Sequence, residues 1–132
     1  MSGIAFVNGK FVPLEEAYVH VEDRGYQFGD GVYEVVFAFN GVPFALEDHM
    51  DRFFKSMNLI RINPPYTREE ISLLIQEALK KTGFRDANIY YQVTRGTSPR
   101  SHPFPDPAVP ANLVITVRPI APLAAELYER GA

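Results

Sequence analysis

Apolar and polar positions alternate most cleanly over Val32 to Phe39. In an extended chain Tyr33, Val35, Phe37 and Phe39 share one side, and Glu34, Val36 and Ala38 share the other. Both sides are mostly apolar, which predicts a central strand. Short apolar runs at Ile4 to Val7 and Lys10 to Val12 flank Asn8-Gly9, and Asn40-Gly41 leads from the long strand into Val42 to Ala45. Asn-Gly between such runs predicts a hairpin, because a type I′ turn needs positive φ at both central positions. Asn88 to Thr94, rich in β-branched and aromatic residues, and Asn112 to Arg118 predict two more strands. Leu14 to Val21 is ambiguous: Glu15-Glu16-Ala17 fits one helical turn, and Tyr18 to Val21 fits a short strand.

The period changes at Leu46. From there to about Ile60, Leu46, Met50, Phe53, Phe54 and Met57 recur at helical spacing and predict a buried stripe. Glu47 and Asp48 in the first turn suit the helix dipole, and Pro64-Pro65 ends the segment. Thr67 with Glu70 predicts a capping box for a second helix. Tyr66 and Ile71 fit the accompanying staple; Ile71, Leu74, Ile75 and Ala78 face inward, and Gly83 closes the end. The fold class is therefore α+β, an antiparallel sheet built from hairpins with two helices packed on it.

Two stretches fit no regular pattern. Glu22 to Glu34 holds Gly25, Gly29 and Gly31 among charged and aromatic residues. Repeated glycine predicts a tight irregular loop that turns sharply or approaches other backbone closely. It delivers Tyr33 and Glu34 at the start of the long strand, a common place for a site. Gly96 to Pro110 is a long loop stiffened by Pro99, Pro103, Pro105, Pro107 and Pro110. Loops of that length in a compact domain are usually functional or disordered.

Composition removes several classes. The 132 residues suit one domain with a modest core, and the 46% hydrophobic content is that of a globular chain. A net charge of −3 gives no electrostatic case for nucleic acid or an anionic membrane. Without cysteine there are no disulfides or thiolate metal sites. No apolar run reaches the roughly 18–20 residues of a spanning helix. MSGIAFVNG lacks the features of a signal peptide, so a cytoplasmic protein is expected.

Candidate chemistry lies in side chains that the core does not need. Arg100 and His102, one residue apart, project the same way if their loop is extended. A guanidinium fork grips a carboxylate bidentately and a histidine adds a donor, although surface pairs of this kind are also common. Tyr33 fits either a core tyrosine or a pocket-lining phenol. Arg52 has Asp48 at i−4 as an ordinary helical partner. Asp23, Arg24 and Asp30 are expected to hold the glycine loop in shape. Glu34 should point away from Tyr33 and would need a partner if buried. His20 has no clear partner in the sequence.

Three linked motifs carry a resemblance over almost the whole chain: DRGYQFGDGVYE at 23–34, EDHMDRFF at 47–54 and RGTSPRSHPFP at 95–105. In order and spacing they resemble the class IV, fold-type IV aminotransferases that use pyridoxal 5′-phosphate, and most of all the D-amino acid aminotransferases. RGTSPRSH favours that type over branched-chain aminotransferases and aminodeoxychorismate lyases. The resemblance implies amino acid and 2-oxo acid substrates. It implies that Arg100 and His102 bind the substrate α-carboxylate by reaching into a neighbouring subunit, hence a homodimer. Tyr33 would be the third member of that carboxylate trap, Arg52 a contact to the cofactor phosphate, and His49 its support. Residues 1–118 would form the family's small N-terminal domain. Residues 119–132 would be a linker and the start of a larger C-terminal domain that bears the Schiff-base lysine. Lys10, Lys55, Lys80 and Lys81 match no family lysine motif, so the chain by itself is expected to be inactive. A different class stays open beside this one, a non-catalytic domain that dimerises or binds carboxylates.

Overall fold

Two Asn-Gly steps set the ends of the sheet. Asn8 and Gly9 have φ of 53° and 75°, and Asn40 and Gly41 have 52° and 78°, the positive pairs that a type I′ turn demands. In the computed structural model, which describes residues 2–120, the first pair joins β1 (Ile4–Val7) to β2 (Lys10–Pro13). The second joins β3 (Gly31–Phe39) to the two-residue β4 (Val42–Pro43). With β5 (Ala87–Thr94) and β6 (Asn112–Pro119) these form one antiparallel sheet in the order β2-β1-β6-β5-β3-β4.

Two helices cover one face. The first long one, following the short helix described below as α1, is α2 (Leu46–Leu59); it buries Leu46, Met50, Phe53 and Met57, with Phe54 only partly buried. The second is α3 (Arg68–Thr82), which begins at the expected capping box and ends at Gly83 in the left-handed conformation. It buries Ile71, Ile75, Ala78 and Leu79, while Leu74 lies at the margin. Against them pack Phe6, Val36, Ala38, Ala87, Ile89, Tyr91, Val93, Leu113, Ile115 and Val117, one continuous core.

Three expectations change. β3 is not central: β4 pairs only with Ala38 and Phe39, so Gly31 to Phe37 has a strand neighbour on one side alone. Its second apolar side faces outward, with Tyr33, Phe37 and Phe39 exposed at 63%, 46% and 50%. Two apolar faces signalled a strand with one covered face and one open face. Tyr18 to Val21 is not a strand; Leu14–Glu16 forms the single 3-10 turn, and Tyr18, Val19 and Val21 are exposed. The Glu22 to Glu34 stretch is not wholly irregular, because Arg24–Phe28 forms the short helix α1. β6 runs one residue past the expected domain edge, and the rest of the expected linker, from 121 on, lies outside the described residues. Among the described residues, no helix is long and apolar enough to cross a membrane.

Candidate functional site

The glycine stretch folds around its own charges. Asp23 caps α1 by accepting from the Gly25 amide at 2.7 Å, and its other oxygen accepts from Asn112 at 2.9 Å. Gly29 ends α1 at φ 65°, where a side chain would be strained. Gly31 meets β5 so closely that an added Cβ would lie 2.6 Å from the Val93 carbonyl oxygen. Turn and close approach are thus both realised.

Arg24 is only 3% exposed. Its Nε donates to Asp30 Oδ2 at 2.9 Å, and its Nη1 donates to the Ser101 carbonyl at 2.6 Å. Longer contacts at 3.4 Å run from Nη1 to Pro103 O and from Nη2 to His102 O. The same Asp30 oxygen accepts from Arg95 Nε at 2.8 Å. Arg95 in turn donates to the Ile60 and Arg61 carbonyls just past α2, and lies 3.6 Å from the centre of the Phe104 ring. Burial works against the Asp30 charge, but hydrogen bonds from Arg95 and Arg24 outweigh it and hold the carboxyl below its ordinary pKa. The expected shape-holding role of Asp23, Arg24 and Asp30 matches these contacts.

Arg100 and His102 are both exposed, and both settle on one ring. The Arg100 guanidinium lies 5.3 Å from the Phe28 centroid, and the His102 ring lies 5.5 Å from it. Arg24 lies 4.7 Å from the same ring. Neither Arg100 nor His102 shares a hydrogen bond or ring contact with Tyr33 among the described residues.

Glu34 leaves β3 on the covered face and is 5% exposed. Two residues of α2 meet it: Arg52 donates through Nε and Nη2, each at 2.8 Å, and His49 Nδ1 lies 2.8 Å from Oε1. A carboxylate only accepts, so Nδ1 carries the proton in that contact. Burial opposes the Glu34 charge, but the Arg52 and His49 hydrogen bonds prevail and lower its pKa. The Arg52 side chain is 67% exposed, and its Nη1 has no protein partner among the described residues. The expected helical pair with Asp48 does not form; Glu34 takes its place. Tyr91 lies directly opposite Glu34 in the register and is fully buried; burial, then the Glu34 charge, push its hydroxyl well above the usual tyrosine range.

Tyr33 lies on the open face, stacked on Tyr90 with ring centres 5.5 Å apart. Tyr90 donates to Gln92, which pairs with Tyr33 across the strands. A hollow of about 260 Å³ opens beside them, lined by Gly25, Gly29, Gly31, Val32, Tyr33 and Gln92. A wider hollow of about 960 Å³, between the Asn40-Gly41 turn and the end of α3, holds none of the candidate residues.

Arg52 and Tyr33 therefore flank the unpaired edge of β3 from opposite faces, while Arg100 and His102 form a separate group on Phe28. Sequence reasoning missed Phe28, Tyr90 and the Glu34–Arg52 pair. An aromatic inside a glycine-rich turn was the available signal for Phe28; nothing local links Glu34 to a helix that starts past the next hairpin. As to a cofactor phosphate, the exposed Arg52 guanidinium is a suitable donor. A Schiff-base lysine is another matter, since Lys10, Lys55, Lys80 and Lys81 are all exposed and lie on β2 and the two long helices. Among the described residues no cluster of histidine and carboxylate groups could hold a metal.

The comparisons with known proteins point one way. The family model described as amino-transferase class IV matches residues 31–131. A D-alanine aminotransferase of Staphylococcus haemolyticus is 40% identical over 125 residues, which is 95% of this chain and 42% of that relative. One from Listeria monocytogenes is 46% identical over 76% of this chain and 35% of its own length. The chain thus spans about two-fifths of the curated relatives it matches. A branched-chain amino acid aminotransferase of T.th., solved with pyridoxamine 5′-phosphate, aligns with a TM-score of 0.81 at 29% identity, covering 96% of this chain and 43% of that one.

Proposed function

Because this chain belongs to the class IV aminotransferase family, we propose that it is the small-domain half of a pyridoxal 5′-phosphate enzyme that exchanges amino groups between D-amino acids and 2-oxo acids. The observation that carries the reading is the pairing of two cationic groups with different exposure to ligand. Arg52 is anchored on Glu34 with one guanidinium edge free, and Arg100 with His102 stands on Phe28 in solvent. D-alanine aminotransferases as the more identical relatives support the D-type over a branched-chain enzyme.

In this reading Arg52 holds the cofactor phosphate, oriented by Glu34 and His49. Bound there, the cofactor would supply an electron sink for bond breaking at the substrate Cα. Tyr33 lines the pocket on the open face and donates its hydroxyl to the substrate carboxylate. Arg100 and His102 grip that carboxylate in a second copy's site, which fits their lack of contact with Tyr33 in one chain. The enzyme is then a cytoplasmic homodimer whose lysine comes from chain beyond the described residues.

The full-length enzyme tests the two arginines against each other. Hydrogen bonds to a charged group are worth roughly 1.5–3 kcal/mol each. Arg100→Ala should therefore raise KM for D-alanine and pyruvate by about one to two orders of magnitude, at roughly 1.4 kcal/mol per tenfold. Cofactor affinity should stay unchanged. Arg52→Ala should do the reverse, weakening cofactor retention in a spectral titration. If Arg100→Ala leaves KM within about twofold of wild type, the carboxylate assignment is wrong.

A further inference from the structure

The loop that carries Arg100 and His102 has no helix or strand of its own between Gly96 and Pro110. Its shape comes from the glycine stretch. Asp23 bridges to Thr97, the Arg24 amide donates to Gly96 O at 2.9 Å, and the Ser98 amide donates to Glu22 O at 3.2 Å. Asn112 donates to Thr97 Oγ1 at 2.9 Å and Arg95 lies over Phe104, while the middle of the loop is held by the Arg24 side chain. Arg24 commits Nε to Asp30 and turns Nη1 and Nη2 to the carbonyls of Ser101, His102 and Pro103. Those carbonyls bracket His102 and begin one residue after Arg100. The Arg24 guanidinium also lies over Phe28, the ring that both candidate side chains touch. With its side chain 4% exposed it has no route to a substrate of its own.

We infer that Arg24 is a positioning residue for carboxylate recognition, setting the loop backbone and the Phe28 platform so that Arg100 and His102 converge on one anionic group. The inference rests on the reading of Arg100 and His102 as carboxylate ligands. Asp30 makes the device a clamp: its one oxygen joins Arg24 to Arg95, and Arg95 ties the assembly to the carbonyls at the end of α2. A fork is needed at position 24, because three nitrogens of fixed geometry must face a carboxylate and a curved run of carbonyls together. Lysine keeps the charge but offers one compact ammonium group.

The test is Arg24→Lys in the full-length enzyme, read in three ways. KM for D-alanine and for pyruvate should rise together by about tenfold, with kcat within about threefold of wild type. Cofactor affinity, followed by absorbance, should not move. Backbone hydrogen exchange should quicken at the Arg24 and Ser98 amides, which tie the glycine stretch to the loop, while α2 and α3 keep their protection. In an Arg100→Ala background the same change should raise KM by clearly less than about tenfold, since one of the two positioned groups is gone. An unchanged KM, or full additivity with Arg100→Ala, overturns the inference while leaving the Arg100 assignment intact. If Arg100→Ala itself has no effect on KM, both fall. Should Arg24→Lys melt too low to assay, Phe28→Leu keeps the apolar volume and removes the platform; a rise in KM without loss of cofactor supports the inference, and an unchanged KM overturns it.

Discussion

Arg24 and Arg52 are built from the same parts and end in opposite situations. Each donates Nε to a carboxylate of the Asp30-to-Glu34 segment, at 2.9 Å and 2.8 Å. Each carboxylate has a second basic partner, Arg95 for Asp30 and His49 for Glu34. Yet the Arg24 side chain is 4% exposed and that of Arg52 67%. Arg24 opens α1, and its side chain turns to the 95–105 loop and directs its remaining nitrogens to carbonyls. Arg52 projects from α2 with its side chain 67% exposed, and its Nη1 has no partner among the described residues. An arginine–carboxylate pair therefore does not reveal a role by itself; what the outer edge of the guanidinium faces does. Protein carbonyls mark an arginine that holds structure, and open space beside a strand edge marks one available to a ligand.

The sharpest way to break this comparison is to delete each arginine and measure stability. Arg24→Ala removes a side chain that is 4% exposed, takes one of two guanidinium partners from Asp30 and leaves loop carbonyls without a donor, and should cost about 3 kcal/mol. Denaturant unfolding of that variant should show the loss as a fall in midpoint at constant slope. Arg52→Ala should lie much closer to wild type, because water reaches its site and His49 still serves Glu34. Equal losses from the two substitutions would end the distinction.

The sequence displayed part of this contrast and hid the rest for reasons of distance. Asn8-Gly9, Asn40-Gly41 and the Thr67 capping box were legible because each is an arrangement among neighbouring residues, fixed by φ or by a side chain reaching three positions along. Glu34 could be read as a carboxylate in need of a partner, but not as the partner of Arg52, since that pairing depends on how α2 crosses β3. Likewise Arg24 could be assigned to its own glycine stretch, while its reach to Ser101, 77 positions away, required the fold. The edge position of β3 was misread for a related cause. An outward apolar face looks the same in sequence whether another element covers it or not.

A gentler probe removes charge and keeps shape. Asp30→Asn should cost about 2 kcal/mol, because two guanidinium groups that see little solvent each lose a charge-assisted bond. Glu34→Gln should cost about 1 kcal/mol or less, with Arg52 and His49 both able to turn to water. The order of the two is the useful result. A larger loss at Glu34 would mean that exposure does not govern the strength of these pairs.

The smallest expected effect is in acid, and its sign follows from the carboxyls. Asp30 and Glu34 both have pKa values lowered in the folded chain, in each case because hydrogen bonds from their basic partners outweigh burial. The unfolded chain then binds protons more readily than the folded one, so stability rises with pH through that range. The contribution is complete above the unfolded values, roughly pH 4 for Asp and Glu, and is lost as pH falls toward the lower folded ones. Asp30 is the cleaner reporter, since both groups that face it are guanidinium groups that stay charged throughout. The penalty of Asp30→Asn should therefore be full at pH 7 and shrink as pH falls below about 4, where the carboxyl of the unfolded chain takes up its proton before that of the folded one. Urea unfolding of wild type and variant over that range measures it. A penalty that stays constant down to about pH 2.5 would mean that the Asp30 charge adds nothing, and that its oxygen serves Arg24 and Arg95 as a neutral acceptor would.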